Sequence, residues 1–273
     1  MRFSIITINY NNRAGLQKTI DSVLCQTWKE YEWIVIDGGS TDGSKELIEQ
    51  YQACFTFWCS EPDKGIYNAM NKGVSHACGE YLNFLNSGDA YYDANVLQKI
   101  NDLHSDADII SGQIVNMNNN ELLHRFKGSL FMQLYETTIS HQGAFIKKTL
   151  LDKYPYDENL RIISDWKFWL QTIIWGEARI EITKNIVARY DGTGISSDRD
   201  PQNLSLNILE REKVKNAFFP TLLRNELAEY KRIKQSPFVV YGDYLKENNH
   251  FLFSVGWRII RLFAVLHQKF VPH

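Results

Sequence analysis

Several things are scarce in this sequence, and each scarcity narrows the reading. Four cysteines occur in 273 residues, Cys25, Cys54, Cys59 and Cys78, with no Cys-x-x-Cys pair among them. Neither a zinc site nor a disulfide framework is indicated, and the plain reading is reduced thiols. Neither sign of charge is in excess: 30 Lys and Arg face 32 Asp and Glu, for a net charge of −2. A broad basic face able to displace counterions from nucleic acid is therefore not expected. No G-x-G-x-x-G follows the first strand-like run, which argues against a nicotinamide dehydrogenase. The first residues run straight into a strand pattern without an apolar core and small-residue cleavage site, so the expected location is the cytoplasm. Internal repeats and low-complexity segments are also missing.

What is present suits a packed core, since 44% of the residues are hydrophobic. Phe3 to Ile8 is a strand-like run, Asn9-Tyr10-Asn11-Asn12 a turn, and Leu16, Ile20, Val23 and Leu24 share a helix face. The unit repeats with Trp33 to Ile36, a turn at Asp37-Gly38-Gly39-Ser40, and a helix carrying Leu47 and Ile48, for which Thr41-Asp42 is the expected cap. Strand-like Phe55 to Cys59, a helix at Ile66 to Ala77 and a strand at Tyr81 to Leu85 continue the alternation. Such alternation predicts an α/β fold with parallel strands, whose ligands gather beyond the strands' carboxyl ends. The turns at 9–12, 37–42, 61–64 and 86–89 all fall there.

Past Asp108 the pattern predicts a hairpin from Ile109–Val115 and Leu122–Phe126, a helix near Leu130–Tyr135 and a strand at Ala144–Ile146. A helix over Asp165–Ile174 and a strand over Arg179–Tyr190 follow, then charged helices including Glu210–Phe218 and Leu222–Lys234. The stretch 191–198, with Gly192 and Gly194, reads either as a loop closing over a ligand or as a solvated connector. Residues 251–266 are apolar with Arg258, Arg261 and Trp257, too short to span a bilayer comfortably. Two readings stand for that tail, a helix in a membrane interface or one packed on this chain or a twin subunit in a homodimer.

Chemistry concentrates in the turns. Asp89, closing Asn86-Ser87-Gly88-Asp89, is placed to hold a hard cation that takes its remaining oxygens from phosphate and water; the bland alternative is a turn aspartate bonding its own backbone. Asp37 sits among glycines where backbone approaches a ligand, and its carboxylate can accept from a base or ribose, or else shape the turn.

The ordered series Ser4 to Asn11, Thr19 to Thr27, Glu32 to Gly43, Asp63 to Gly73, Gly79 to Leu82 and Asn86 to Asp89 resembles the opening of family 2 glycosyltransferases of the GT-A fold. The resemblance covers most of residues 3 to 195. It implies a mixed, mostly parallel central sheet flanked by helices over residues 1–200, followed by a C-terminal helical extension over 201–273. It also implies a nucleotide-sugar donor, commonly a UDP-sugar, a Mn²⁺ or Mg²⁺ ion, and inversion at the anomeric carbon. The acceptor would be a carbohydrate or lipid-linked hydroxyl in surface polysaccharide or glycolipid synthesis, which suits a peripheral place at the inner face of the plasma membrane. Carried over by position, Asp37 resembles the base-contacting aspartate and Asp89 the metal-binding end of the Asp-x-Asp motif. Thr7, Asn9, Tyr10, Gly39, Asp63, Lys64, Gly65, Asn68, Asn71, Asn86 and Ser87 complete the expected donor side.

Three neutral residues, Gly38, Asn68 and Ser87, stand where an acid is expected, which puts a two-carboxylate metal site in question. Asp165 matches the position of the family's acidic base, with Ser164 replacing a second acid; alone it would read as a helix N-cap. His141 either lines the metal or acceptor side or is a structural histidine. Trp166 and Trp169 are candidates for stacking on sugar faces, and at helical spacing at least one belongs to the core. Two rivals remain, a non-catalytic nucleotide-sugar-binding scaffold and a sugar nucleotidyltransferase. The second lacks a glycine-rich loop with paired Arg and Lys near the N-terminus.

Overall fold

The computed structural model describes residues 2–123, 129–192, 194 and 200–236, with 240, 246 and 254 as single positions. Strand β1 (Phe3–Asn9) is buried at every position and joins helix α1 (Arg13–Leu24), whose cap Asn12 accepts from the Gly15 N–H. Strand β2 (Tyr31–Asp37), α2 (Ser44–Gln50), β3 (Phe57–Ser60), α3 (Ile66–His76) and β4 (Tyr81–Phe84) follow. Near-continuous burial along β1, β2 and β4 marks strands covered on both faces.

The pairing fixes where a ligand can sit. β1 runs parallel to β2 from Phe3↔Tyr31 to Asn9↔Asp37, β2 is parallel to β3, and β4 pairs parallel on the other side of β1. The chain thus steps outward from β1 to β3 and then returns across β1. That reversal opens a crevice beyond the carboxyl ends of β1 and β4.

The second half builds the other flank with β5 (Ala90–Tyr91), α4 (Val96–Asn101), β6 (Ile109–Asn116), β7 (Leu122–Leu123) and α5 (Leu130–Glu136). It continues with β8 (Ala144–Lys147), α6 (Lys148–Lys153), α7 (Ser164–Trp169) and β9 (Ile180–Tyr190). Here the pairing turns mixed. β8 is antiparallel to β4 and β6, β9 is parallel to β6, and β5 is antiparallel to β9. The described strands form one sheet in the order β3-β2-β1-β4-β8-β6-β9-β5, with β7 on β6.

Helices α8 (Pro201–Phe218) and α9 (Thr221–Lys234) come last. The chain forms two compact units, Met1–Arg211 and Glu212–His273. No helix of the described residues is long and apolar enough to cross a membrane. The tail 251–266, except Ser254, lies outside the described residues, as does the end of the expected 122–126 strand.

Some expectations change. The N-cap of α2 is Gly43 in a left-handed conformation, φ 89°, which brings no capping side chain of its own. Asp42 instead accepts the first N–H of two helices, Arg13 of α1 at 2.8 Å and Ser44 of α2 at 3.1 Å. The helix expected over Asp165–Ile174 is α7 followed by a π-helical turn at Leu170–Ile174, and α8 begins nine residues before the expected Glu210.

Candidate active site

Asp37 ends β2 with its side chain wholly buried. One oxygen accepts from Asn9 Nδ2 at 2.7 Å and Ser40 Oγ at 2.6 Å; the other accepts from Ser40 N at 2.9 Å and Ser60 Oγ at 2.7 Å. Burial pushes its carboxyl up, but these bonds outweigh it and hold the group below the usual aspartate range. With four donors on its two oxygens, Asp37 shapes the turn. Asn9, 4% exposed, spends its amide on Asp37 and Ser40. The buried Thr7 hydroxyl donates to Leu85 O at 2.9 Å and accepts from Trp33 Nε1 at 3.0 Å.

The crevice surface comes from what stands on these turns. Tyr10 is exposed, and Gly39 adopts φ 80°, where a Cβ would stand 3.2 Å from Pro62 N. A Cβ at Gly38 would lie 2.6 Å from Asp63 Oδ2, so the missing side chain is what admits the Asp63 carboxylate. Asp63 Oδ1 accepts from Gly65 N at 2.8 Å, and Gly65 opens α3 at φ 116°. Lys64 N donates to Asn68 Oδ1 at 3.1 Å. Asn68 and Asn71 both donate to Glu158, at 2.8 and 3.0 Å, and Asn71 also clasps the Tyr156 backbone. Asn71 is thus a structural tie, and an acid stands beside Asn68 after all.

After β4, Thr19 holds the Asn86–Asp89 turn: its hydroxyl donates to Asp89 O at 2.7 Å and accepts from Gly88 N at 3.1 Å. Ser87 lends its carbonyl to Asn12 Nδ2 at 3.1 Å. Asp89, 4% exposed, accepts from Asp191 N at 3.1 Å. Burial raises its carboxyl to about 6, against the Asp191 N–H, His141 and Gln142, which lower it. The Asp191 carboxylate lies alongside, 2.9 Å from where a Cβ on Gly88 would stand.

A chain of polar groups leads from this turn to α7. Asn86 Nδ2 lies 3.2 Å from His141 Nε2, and His141 Nδ1 lies 3.6 Å from Asp165 Oδ2. Asp165 Oδ1 takes the Trp166 N–H at 2.8 Å and stands 3.1 Å from the Tyr67 hydroxyl, which also donates to Ile162 O at 2.7 Å. Oδ2 is left on the side of His141. The two side chains are 14% and 18% exposed and line a cavity of about 290 Å³ together with Trp166, Tyr190, Asn207 and Arg211.

Trp166 and Trp169 are wholly buried and donate to Leu134 O and Ile139 O at 2.6 and 2.9 Å. The Arg211 guanidinium covers the Trp166 ring at 4.6 Å, so Trp166 forms a wall rather than a stacking platform for sugar. Burial pushes Arg211 down, with the charge of Asp165 opposing. Among the described residues no group of three or more His, Cys, Asp or Glu is arranged to hold a metal. Gly192 has φ 77°, and of the rest of the expected lid only Asp191 and Gly194 are described.

Sequence reading missed Tyr67, Glu158, Asp191, Glu210 and Arg211. Tyr67 lies inside the Asp63–Gly73 motif and had a signal; the others reach the site through pairings distant in sequence.

Residues 4–157 match Glycosyl transferase family 2. The glycosyltransferase Rv1514c of Mycobacterium tuberculosis is 32% identical over 206 residues, 72% of this chain and 78% of that protein. A PGL/p-HBAD biosynthesis glycosyltransferase of Mycobacterium bovis is 28% identical over 230 residues, 81% and 86% of the two chains. In structure, S. aureus TarS 1-349 in complex with UDP superposes with TM-score 0.61 at 18% identity, over 83% of this chain and 69% of that one. The mannosyltransferase PcManGT of Pyrobaculum calidifontis, solved with GDP-Man and Mn²⁺, gives 0.57 at 13% identity over 88% and 82%. With its motifs standing at the carboxyl ends of a β3-β2-β1-β4 sheet, the chain belongs to glycosyltransferase family 2 and has the GT-A fold.

Proposed function

We propose that the protein transfers one sugar from a UDP-sugar to an acceptor hydroxyl, with inversion, and that Asp165 is the base. The observation that carries this reading is the line Asp89, Asn86, His141, Asp165, which joins the crevice at β1 and β4 to the cavity lined by Asp165. Donor and acceptor would meet along it. Asp63, Tyr10, Lys64 and the Gly39 and Gly65 backbones face the donor's nucleoside side, and the Asn86–Asp89 turn its diphosphate. The TarS complex with UDP supports the choice of nucleotide, and the relative named for PGL/p-HBAD biosynthesis supports a synthetic role.

In the reaction, Asp165 Oδ2 takes the acceptor hydroxyl proton as that oxygen bonds to the anomeric carbon. The carbon–oxygen bond to the diphosphate breaks on the opposite face, and the diphosphate leaves with the electron pair. Tyr67 and the Trp166 N–H fix the other carboxylate oxygen, so the base works by position. A divalent ion would be held through Asp89, whose buried carboxylate accepts from the Asp191 N–H and the Gln142 side chain and keeps an incompletely compensated charge, with its remaining oxygens from diphosphate and water. When bound, Mn²⁺ or Mg²⁺ would neutralise charge on the diphosphate. Because acids stand beside Gly38 and Asn68 in space, those two neutral motif positions do not favour a non-catalytic scaffold.

Calorimetric titration of UDP with Mn²⁺ tests the donor side: Asp89→Ala should abolish metal-dependent binding. Asp165→Asn should bind UDP as the parent does while transfer falls by about 10²-fold or more. Full transfer by Asp165→Asn would remove the base assignment.

A further inference from the structure

The Glu210-Arg211 pair of α8 lies more than fifty residues past the end of the family match at residue 157. Glu210 is 7% exposed, and its two oxygens accept the Arg161 N–H at 2.7 Å and the Ile162 N–H at 3.0 Å. A buried carboxylate needs such donors, and bonds from N–H groups to a charged acceptor are stronger than neutral ones. The segment so held leads directly into α7 and Asp165. Its Ile162 carbonyl accepts the Tyr67 hydroxyl, which also reaches Asp165 Oδ1. On the far side of Asp165, Arg211 covers the Trp166 ring while its Nε donates to Asn207 at 3.0 Å. The base is therefore gripped through the backbone before it and the ring after it, both from one turn of α8.

We infer that Glu210 is a positioning residue for Asp165: it sets the rate of transfer by fixing the 161–165 segment and takes no part in donor binding. This rests on the reading of Asp165 as the base. Glu210→Gln keeps the shape but sets an amide donor against a backbone N–H, so one of the two bonds is lost.

Two measurements on the full chain decide it. Hydrogen exchange should quicken at the Arg161 and Ile162 amides in Glu210→Gln and stay unchanged in the turns after β1, β2 and β4. Turnover, counted per UDP-binding site by titration so that misfolded protein is discounted, should fall at least about tenfold with donor KM and UDP affinity unchanged. Glu212→Gln, at an exposed position on the same helix, should match the parent. Unchanged turnover per site, or a parallel loss of UDP affinity, would overturn the inference, as would exchange protection that stays at the parent level. A parent protein that binds UDP and transfers nothing would instead strike the function reading, a failure visible before any variant is made.

Discussion

Asp37 and Asp89 are both buried aspartates at strand ends, and their surroundings drive them in opposite directions. Asp37 has four donors on its two oxygens, whereas Asp89 has the Asp191 N–H and the Gln142 side chain, which do not outweigh its burial. The folded state therefore holds a proton on Asp89 up to about pH 6, whereas an unfolded aspartate releases it near 3.8. Between those values the fold binds more protons than the open chain, so this group's contribution to stability falls as pH rises and levels off above 6. The shift corresponds to roughly 3 kcal/mol. In chelator at pH 7.5, Asp89→Asn should thus unfold at higher denaturant than the parent, with the gap closing below about pH 4. A variant less stable than the parent at pH 7.5 would show that the Asp191 N–H compensates the charge. Asp37 contributes with the opposite sign, its stability present above the unfolded value and lost as pH falls. Both aspartates were legible in the sequence as candidate ligands. Their hydrogen-bond partners were not, because Ser60 lies on β3 and Asp191 follows the end of β9.

At the scale of elements, the long periodic segments were legible, and so were the short β3, β4, α5 and β8, whereas β5, α4 and α6 were not. β1, α1, β2, α3 and β9 follow directly from apolar spacing. β5 has two residues and exists because Ala90 and Tyr91 pair with Arg189 and Ala188, a contact that no local pattern announces. α4 and α6, six residues each, are too short to show a period. Packing between elements is similarly hidden. Gly73 lies on the face of α3 against β1, where a Cβ would come within 2.4 Å of Ile6 Cγ2. Alanine there gains about 1 kcal/mol of helix propensity but overpacks a buried sheet contact, at about 1–3 kcal/mol. We expect Gly73→Ala to lose about 1–2 kcal/mol in urea unfolding, the clash outweighing propensity. A stabilised variant would mean that α3 can move off the sheet without loss.

For the molecule as a whole, the parallel half and its crevice could be read from the turn motifs, since each strand-turn-helix unit is local. Of the mixed flank, the β6–β7 hairpin and the strands β8 and β9 could be read but the order of their pairing could not, nor could the placing of two acids, Glu158 beside Asn68 and Asp191 beside Gly88. Asp63 was legible as a motif residue, but its place against Gly38 was not. The acceptor's source is the remaining whole-molecule question, and the composition of residues 251–266 supports a peripheral membrane contact. On that reading Trp257 and the apolar residues would enter an interface, and Arg258 and Arg261 would meet anionic headgroups at about 1 kcal/mol each. The full chain should then sediment with vesicles containing anionic lipid at low salt, and a chain ending at residue 250 should stay in solution. Added salt should weaken the binding without abolishing it, because screening reaches only the electrostatic share. Release of the full chain from vesicles at every salt concentration, together with a dimer that the shortened chain cannot form, would assign the same apolar surface to a twin subunit.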